Sequence, residues 1–235
     1  MNAKTPGGMD GDLVHIPAAG ITIEGVLTWP DRRASGIVVF AHGSGSSRHS
    51  PRNNFVAAEL RRVGLATLLM DLLTPEEDSD YSRRFDIDLL ATRLIDAVRY
   101  LGADGATAAL PVGAFGASTG AAAALRLAAA LPEKVAAVVS RGGRPDLAGQ
   151  ALLAEVRAPT LLIVGGLDSV VIELNEQACR HLAGVREMKV VPGASHLFEE
   201  PGTLEQVATL AGAWFSRYLA AAGSPPQAMG RFSRP

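Results

Sequence analysis

Pro111-Val112-Gly113-Ala114-Phe115-Gly116-Ala117-Ser118-Thr119-Gly120 runs without a break into Ala121-Ala122-Ala123-Ala124-Leu125. An apolar segment of strand length ends on a Gly-x-Ser-x-Gly pentad, and an alanine-rich helical segment begins at once. So abrupt a turn from strand to helix crowds the positions two before and two after the serine. Gly116 and Gly120 meet that crowding by carrying no side chain. Ser118 is then held in a strained conformation that lifts its hydroxyl at the carboxyl end of a sheet and the N-terminus of a helix. This context marks a nucleophile. The competing reading of the same residues is a glycine-rich packing turn between strand and helix.

The flanking chain repeats strand and helix. Residues 13–17 and 21–29 alternate apolar and polar side chains around Ala18-Ala19-Gly20 and predict an antiparallel edge hairpin. Residues 37–41 are continuously apolar, as in a parallel strand buried on both faces. Strands are also predicted at 66–73, 135–140, 158–165 and 188–191. Helices are predicted at 53–63, 86–101, 121–131, 172–182 and 204–219. Together they predict a doubly wound α/β fold, its mostly parallel sheet of about eight strands opening on the antiparallel hairpin and covered by helices on both faces. Only about eighteen residues separate the 135–140 strand from Ala158, too few for a cap domain. The acidic stretch 74–85 reads as a mobile loop. The expected organisation is a flexible N-terminus (1–12), a single domain (13–220) and a flexible tail (221–235).

Of 235 residues, 48% are hydrophobic and 20% charged, which suits a well-cored globular chain. A net charge of −2 argues against nucleic acid or an anionic membrane as partner. Cys179 is the only cysteine, so neither an intrachain disulfide nor a cysteine zinc cluster can form. The long apolar tract 121–139 is interrupted by Arg126, Pro132, Glu133 and Lys134, and no membrane span is expected. The N-terminal residues lack the apolar core of a secretory signal, and the expected location is cytoplasmic. There is no His-Glu-x-x-His motif, P-loop or dinucleotide fingerprint, so no metal and no organic cofactor is expected.

A serine hydroxyl needs a neighbouring imidazole to take its proton. On sheets of this topology the base follows the serine in the chain, which leaves His181 and His196 of five histidines. His181 falls inside a predicted helix. His196 lies in Pro192-Gly193-Ala194-Ser195-His196, a loop just past the last strand, and is the expected base. The orienting acid should come from another loop at the carboxyl edge. Asp168, just beyond Leu161-Leu162-Ile163-Val164-Gly165-Gly166, is favoured over Asp146 and Glu173; Asp146 reads better as a helix N-cap. The oxyanion donors are expected to be the backbone N–H groups of Thr119 and of Ser44, in the loop His42-Gly43-Ser44-Gly45. His42 is expected to orient that loop.

These segments resemble the α/β-hydrolase superfamily, and within it the small lidless proteins related to dienelactone hydrolase. The resemblance runs from about residue 13 to 219 and rests on residues 41–53 (AHGSGSSRHSPRN), Gly116 to Gly120, residues 140–146 (SRGGRPD), Asp168 and residues 195–202 (SHLFEEPG). It implies hydrolysis of a small-molecule ester or lactone through an acyl-enzyme. Dienelactone hydrolase itself uses a cysteine nucleophile where this chain has Ser118, a departure that moves the expected activity toward general ester hydrolysis. Thioester or peptide hydrolysis would use the same groups, and a hydrolase-fold binding protein is the non-enzymatic alternative. Arg48, Arg52, Arg141 and Arg144 all fall in loops expected near Ser118. Arg48 and Arg141 are the candidates to hold an anionic part of a substrate; the alternative is that the arginines pair with Asp71, Glu76, Glu77, Asp78 or Asp146 and brace the loops.

Overall fold

The computed structural model describes residues 11–222. The termini expected to be flexible lie outside the described residues except at their inner ends, where Asp12 opens the first strand and Ala222 closes the last helix.

The sheet has eight strands: β1 (Asp12–Ala18), β2 (Ile21–Thr28), β3 (Ile37–Ala41), β4 (Ala66–Met70), β5 (Val112–Ala117), β6 (Val135–Arg141), β7 (Thr160–Gly165) and β8 (Arg186–Val191). Their spatial order is β1-β2-β4-β3-β5-β6-β7-β8. β1 and β2 form the antiparallel hairpin, β2 also pairs antiparallel with β4, and the remaining pairings are parallel. β3, β4, β5 and β7 are buried along their whole length, which is why they read as unbroken apolar runs. The edge strand β8 is exposed at three of its six residues and carries charge.

Among the described residues there are seven helices: α1 (Pro51–Arg62), α2 (Pro75–Asp78), α3 (Ile87–Ala103), α4 (Thr119–Ala130), α5 (Gln150–Leu153), α6 (Ser169–His181) and α7 (Thr203–Ala222). On one face, Leu90, Leu94 and Val98 of α3 and the alanines 122–124 of α4 cluster with Val39, Ala114 and Val138 of the sheet. On the other, Val56 and Leu60 of α1 and Trp214 and Phe215 of α7 cluster with Phe40, Phe115 and Val139. Alternate strand residues therefore serve opposite cores.

Three boundaries differ from expectation in ways that bear on the site. Residues 74–85 are not an irregular loop. Thr74 and Glu77 form a reciprocal capping box on α2, a 3₁₀ turn spans Tyr81–Phe85, and buried Arg93 on α3 binds Glu77 at 2.9 Å and the Ala18 carbonyl at 3.1 Å. β4 ends at Met70, which frees the Leu72 N–H to bond His42. β6 runs on to Arg141, which belongs to the sheet and not to a loop. Between β6 and β7 the chain makes a 3₁₀ turn at Pro145–Ala148 and then α5.

Candidate active site

Ser118 joins β5 to α4 at φ 51°, ψ −122°, a left-handed conformation that a side-chain-bearing residue adopts only under constraint. The constraint is a set of main-chain bonds. Its N–H donates to the Arg141 carbonyl at 3.2 Å, and its carbonyl accepts from Ala121 at 3.1 Å and Arg144 at 3.0 Å. The pentad glycines are required sterically, but against different neighbours. A Cβ on Gly116 would stand 2.4 Å from the Ala121 Cα, whereas one on Gly120 would stand 2.3 Å from the carbonyl oxygen of Ala41 on β3. The elbow is thus wedged between its own helix and the adjacent strand. Gly43 faces the serine itself, since a Cβ there would be 3.1 Å from the Ser118 Cβ and 3.8 Å from its Oγ.

His196 and Asp168 meet across two carboxyl-edge loops. His196 Nδ1 lies 2.6 Å from Asp168 Oδ2, with the imidazole partly exposed and the carboxylate largely covered. Asp168 occupies the N-cap position of α6 but caps no N–H with its side chain, which leaves its carboxylate to the imidazole. The two loops are stitched main chain to main chain. Leu167 N–H donates to the Ala194 carbonyl at 2.9 Å, and a Cβ on Gly165 would come within 2.5 Å of the carbonyls of Ala194 and Ser195. A Cβ on Gly142 would be 3.6 Å from His196 Cε1, so the ring lies over the residue after Arg141, whose carbonyl holds Ser118. Asp146 instead accepts both arms of Arg144, at 2.8 and 2.7 Å.

One fastening of the His196 loop has no local signature in the sequence. Glu200 accepts the Ser195 N–H at 3.0 Å, and that bond draws its carboxyl below the usual range. Phe198, at φ 57°, anchors the same loop by burying its ring in the α1/α7 core.

At the oxyanion loop, Ser44 differs from expectation. Its N–H donates to Thr119 Oγ1 at 2.9 Å, so it is engaged within the protein before any substrate arrives. His42 lies between the ends of β3 and β4. Its Nδ1 is 2.9 Å from the Gly43 carbonyl, and its Nε2 accepts the Leu72 N–H at 3.1 Å. Both contacts together require the neutral ring with its proton on Nδ1, and burial lowers the pKa below 6.5.

The arginines divide. Arg48 is not directed at the site: its guanidinium pairs with Asp71 and with Glu24 on β2, and its backbone N–H bonds Asp71 at 2.8 Å. It braces β2 against the loop after β4. Arg144 is held by Asp146, and Arg52 pairs with Glu199 at 2.9 Å. Arg141, only 7% exposed, pairs with no carboxylate among the described residues.

A hollow of about 360 Å³ opens at the amino edge of the sheet beside Val112 and Val135, the edge opposite Ser118. At the carboxyl edge a cleft of about 250 Å³ lies between His42, Ser46, Ser47, Asp71, Leu73 and Thr74. Neither hollow is lined by Ser118, Asp168 or His196. No helix of the described residues is long and apolar enough to cross a membrane.

The model of the dienelactone hydrolase family matches residues 23–220. A solved structure of dienelactone hydrolase from Anabaena variabilis is 53% identical, covers 89% of this chain and 98% of its own, and superposes with a TM-score of 0.85. Est1E from Butyrivibrio proteoclasticus (14% identity, 90% and 100% coverage, TM-score 0.77) shares the fold. So does a serine hydrolase without lid from Xanthomonas campestris (18% identity, 94% and 100% coverage, TM-score 0.72). Two Mycobacterium tuberculosis proteins, named provisionally as phosphoribosyl transferases, are 59% identical over 210 residues. The match covers 89% of this chain and 47% of theirs, so the chain spans about half the length of these curated relatives.

Proposed function

Because the chain belongs to the dienelactone hydrolase family, we propose that it is a serine hydrolase that cleaves small carboxylic esters or lactones through an acyl-enzyme on Ser118. The observation that carries this reading is the strained Ser118 turn, whose N–H bonds the carbonyl of Arg141 just before Gly142, the residue over which the Asp168-paired ring of His196 rests.

In this reaction His196 Nε2 takes the Ser118 Oγ proton as Oγ bonds the substrate carbonyl carbon. Asp168 accepts a hydrogen bond from Nδ1–H throughout, which fixes the tautomer that leaves Nε2 basic and stabilises the imidazolium once formed. The carbonyl π electrons move to oxygen, and the backbone N–H of Thr119 stabilises that oxyanion, joined by the Ser44 N–H as it exchanges its bond to Thr119 Oγ1 for the developing charge. As the tetrahedral intermediate collapses, the C–O bond to the alcohol breaks and His196 returns the proton to the leaving oxygen. Water then repeats the sequence on the acyl-enzyme, releasing the acid and restoring Ser118.

Position 118 holds a hydroxyl, which depends on its base for activation more than a thiol does. The setting proposed for the enzyme is cytoplasmic. We attribute the transferase name of the mycobacterial relatives to the part of those proteins outside the aligned 47%.

A fluorophosphonate probe tests the reading directly. Labelling of the parent that is lost in Ser118→Ala, together with turnover of p-nitrophenyl butyrate, is the expected result. A folded parent that neither labels nor hydrolyses short esters or lactones would overturn it.

A further inference from the structure

Asn175 is fully buried on α6, on the face that also buries Val171 and Ala178. Its Nδ2 donates to the Val171 carbonyl of its own helix at 2.8 Å and, across 32 residues of sequence, to the Gly143 carbonyl at 2.9 Å. Both neighbours are acceptors, so the amide can face them only with its NH₂. Its Oδ1 is left buried without a hydrogen-bond partner among the described residues. A half-satisfied buried amide destabilises a fold in a way that leucine, of similar shape, would not. The bond to Gly143 is what leucine could not supply.

The surroundings of Gly143 give that bond its consequence. The Gly143 carbonyl and the Arg144 N–H belong to one planar peptide unit and point opposite ways. On the far side the Arg144 N–H donates to the Ser118 carbonyl at 3.0 Å. Asn175 therefore grips one end of a rigid unit whose other end holds the strained nucleophile. A side chain at position 143 is excluded, because a Cβ there would stand 2.0 Å from Ser140 Oγ and 2.5 Å from the Ala121 Cβ. The glycine that this demands lets the peptide turn over easily unless it is held. Turned over, the peptide would set its carbonyl against the Ser118 carbonyl, and the elbow would lose one of the bonds that keep it at φ 51°. Gly142, one residue earlier, lies under the His196 ring, and Asp168 stands at the N-cap of α6, about two turns before Asn175. One helix thus presents the acid at its start and further along fastens the turn that lies under the base and beside the nucleophile.

We propose that Asn175 is a positioning residue: by orienting the Gly143–Arg144 peptide it holds Ser118 in its strained conformation and in register with Asp168 and His196. Its effect on turnover rests on the hydrolase reading; its effect on the elbow does not.

Asn175→Leu tests this in two arms on the full chain. The first measures p-nitrophenyl butyrate hydrolysis and the rate of fluorophosphonate labelling, well below Tm. Both kcat and the labelling rate are expected to fall on the order of 10-fold with KM little changed, since a misaligned nucleophile slows the chemistry and leaves ester binding alone. The second compares the Tm of Ser118→Gly with that of Ser118→Ala, each alone and each combined with Asn175→Leu. Glycine relieves the strain of the elbow and alanine keeps it, so Ser118→Gly alone should melt a few degrees higher. Combined with Asn175→Leu the gap is expected to close, because the elbow has already relaxed. A general loss of stability would lower both Tm values together and leave the gap as it was. If Asn175→Leu does not fold, Asn175→Ser, which keeps a donor for Val171 but is too short for Gly143, carries both arms.

A gap that closes, without labelling or turnover by the parent, would leave the tie between Asn175 and the elbow standing and remove the hydrolase reading. Turnover by Asn175→Leu at the parental rate would overturn the positioning role whether or not the gap closes. Slowed turnover with the gap intact would overturn it too, because Asn175 would then act on α6 and Asp168 and not on Ser118. So would the absence of any gap with Asn175 in place, since the elbow would have no strain to hold.

Discussion

The backbone N–H of Ser44 donates to the hydroxyl oxygen of Thr119 at 2.9 Å. Two residues 75 apart in sequence, each named as an oxyanion donor through its main chain, are thereby tied together by one side chain. The bond fixes the loop after β3 against the first turn of α4 and leaves the Thr119 hydroxyl proton to point elsewhere. Thr119→Val keeps the backbone N–H of residue 119 but removes the tie. Because the donor is displaced and not deleted, kcat is expected to drop on the order of 10-fold with KM little changed. Thr119→Ser should restore most of it. Steady-state kinetics on a neutral ester checks both, and a Val variant as fast as the parent would show that the tie is irrelevant to catalysis.

Ser44→Pro deletes the donor outright without touching Ser118, Asp168 or His196. Loss of one oxyanion donor lowers kcat on the order of 10²- to 10³-fold, and that is the expected result here. Circular dichroism and fluorophosphonate labelling establish that the variant is folded. A folded Ser44→Pro protein hydrolysing esters at the parental rate would place the second donor elsewhere.

Asp168→Asn tests the orienting carboxylate. An amide facing Nδ1 at 2.6 Å can present its NH₂, which turns the imidazole to the tautomer with Nε2 protonated and unable to act as base. A fall in kcat on the order of 10⁴-fold with little change in Tm is expected. A modest fall would mean that Asp168 only braces the loop between β7 and α6.

Most of the fold was legible because continuous apolar strands, a pentad at a strand–helix junction and glycine-marked helix ends are local signals. Residues 74–85 were misread because a four-residue helix has no periodicity to detect; the Thr74-Pro75-Glu76-Glu77 capping box was the available sign. The arginines show a different limit. Spacing placed all four near the carboxyl edge, but which carboxylates each one meets depends on tertiary approach. Arg48 turned to Glu24 and Asp71, while Arg141, as an extra strand residue, was directed by strand parity toward α1. The Ser44 to Thr119 bond was equally hidden, since it depends on the rotamer of one threonine. Ser118, Asp168 and His196 are expected from chain order and loop position, both read from sequence, and of these contacts the structure shows the one between His196 and Asp168.

His42 makes stability sensitive to mild acid. Burial holds its pKa below the ordinary 6.5, outweighing the Gly43 contact and the attraction of Asp71 and Asp78. Below that ordinary value the unfolded chain binds a proton that the folded chain refuses. The His42 contribution is therefore complete above 6.5 and is lost as pH falls toward its lower folded value. Urea unfolding between about pH 7.5 and 5.5 should show declining stability over a range where ordinary carboxylates remain ionised. In His42→Gln, which offers an amide donor and acceptor without titrating, the slope should shrink. An unchanged slope would assign the effect to other groups.

Ser118 stores strain that the fold supplies and the proposed chemistry uses. At φ 51°, ψ −122° a non-glycine residue is destabilised by about 1–3 kcal/mol, held here by bonds to Arg141, Ala121 and Arg144. Glycine adopts that conformation freely but adds about 0.5–1 kcal/mol of backbone entropy to the unfolded chain. Ser118→Gly should therefore be inactive yet more stable, with a Tm a few degrees above the parent for a chain of this size. Ser118→Ala separates the causes, since it loses the hydroxyl but keeps the Cβ and its strain. Its Tm should stay near that of the parent and below that of the glycine variant. A glycine variant melting at or below the alanine one would mean that the elbow carries no strain, and that Ser118 is held up by packing against Gly43 and not by its backbone.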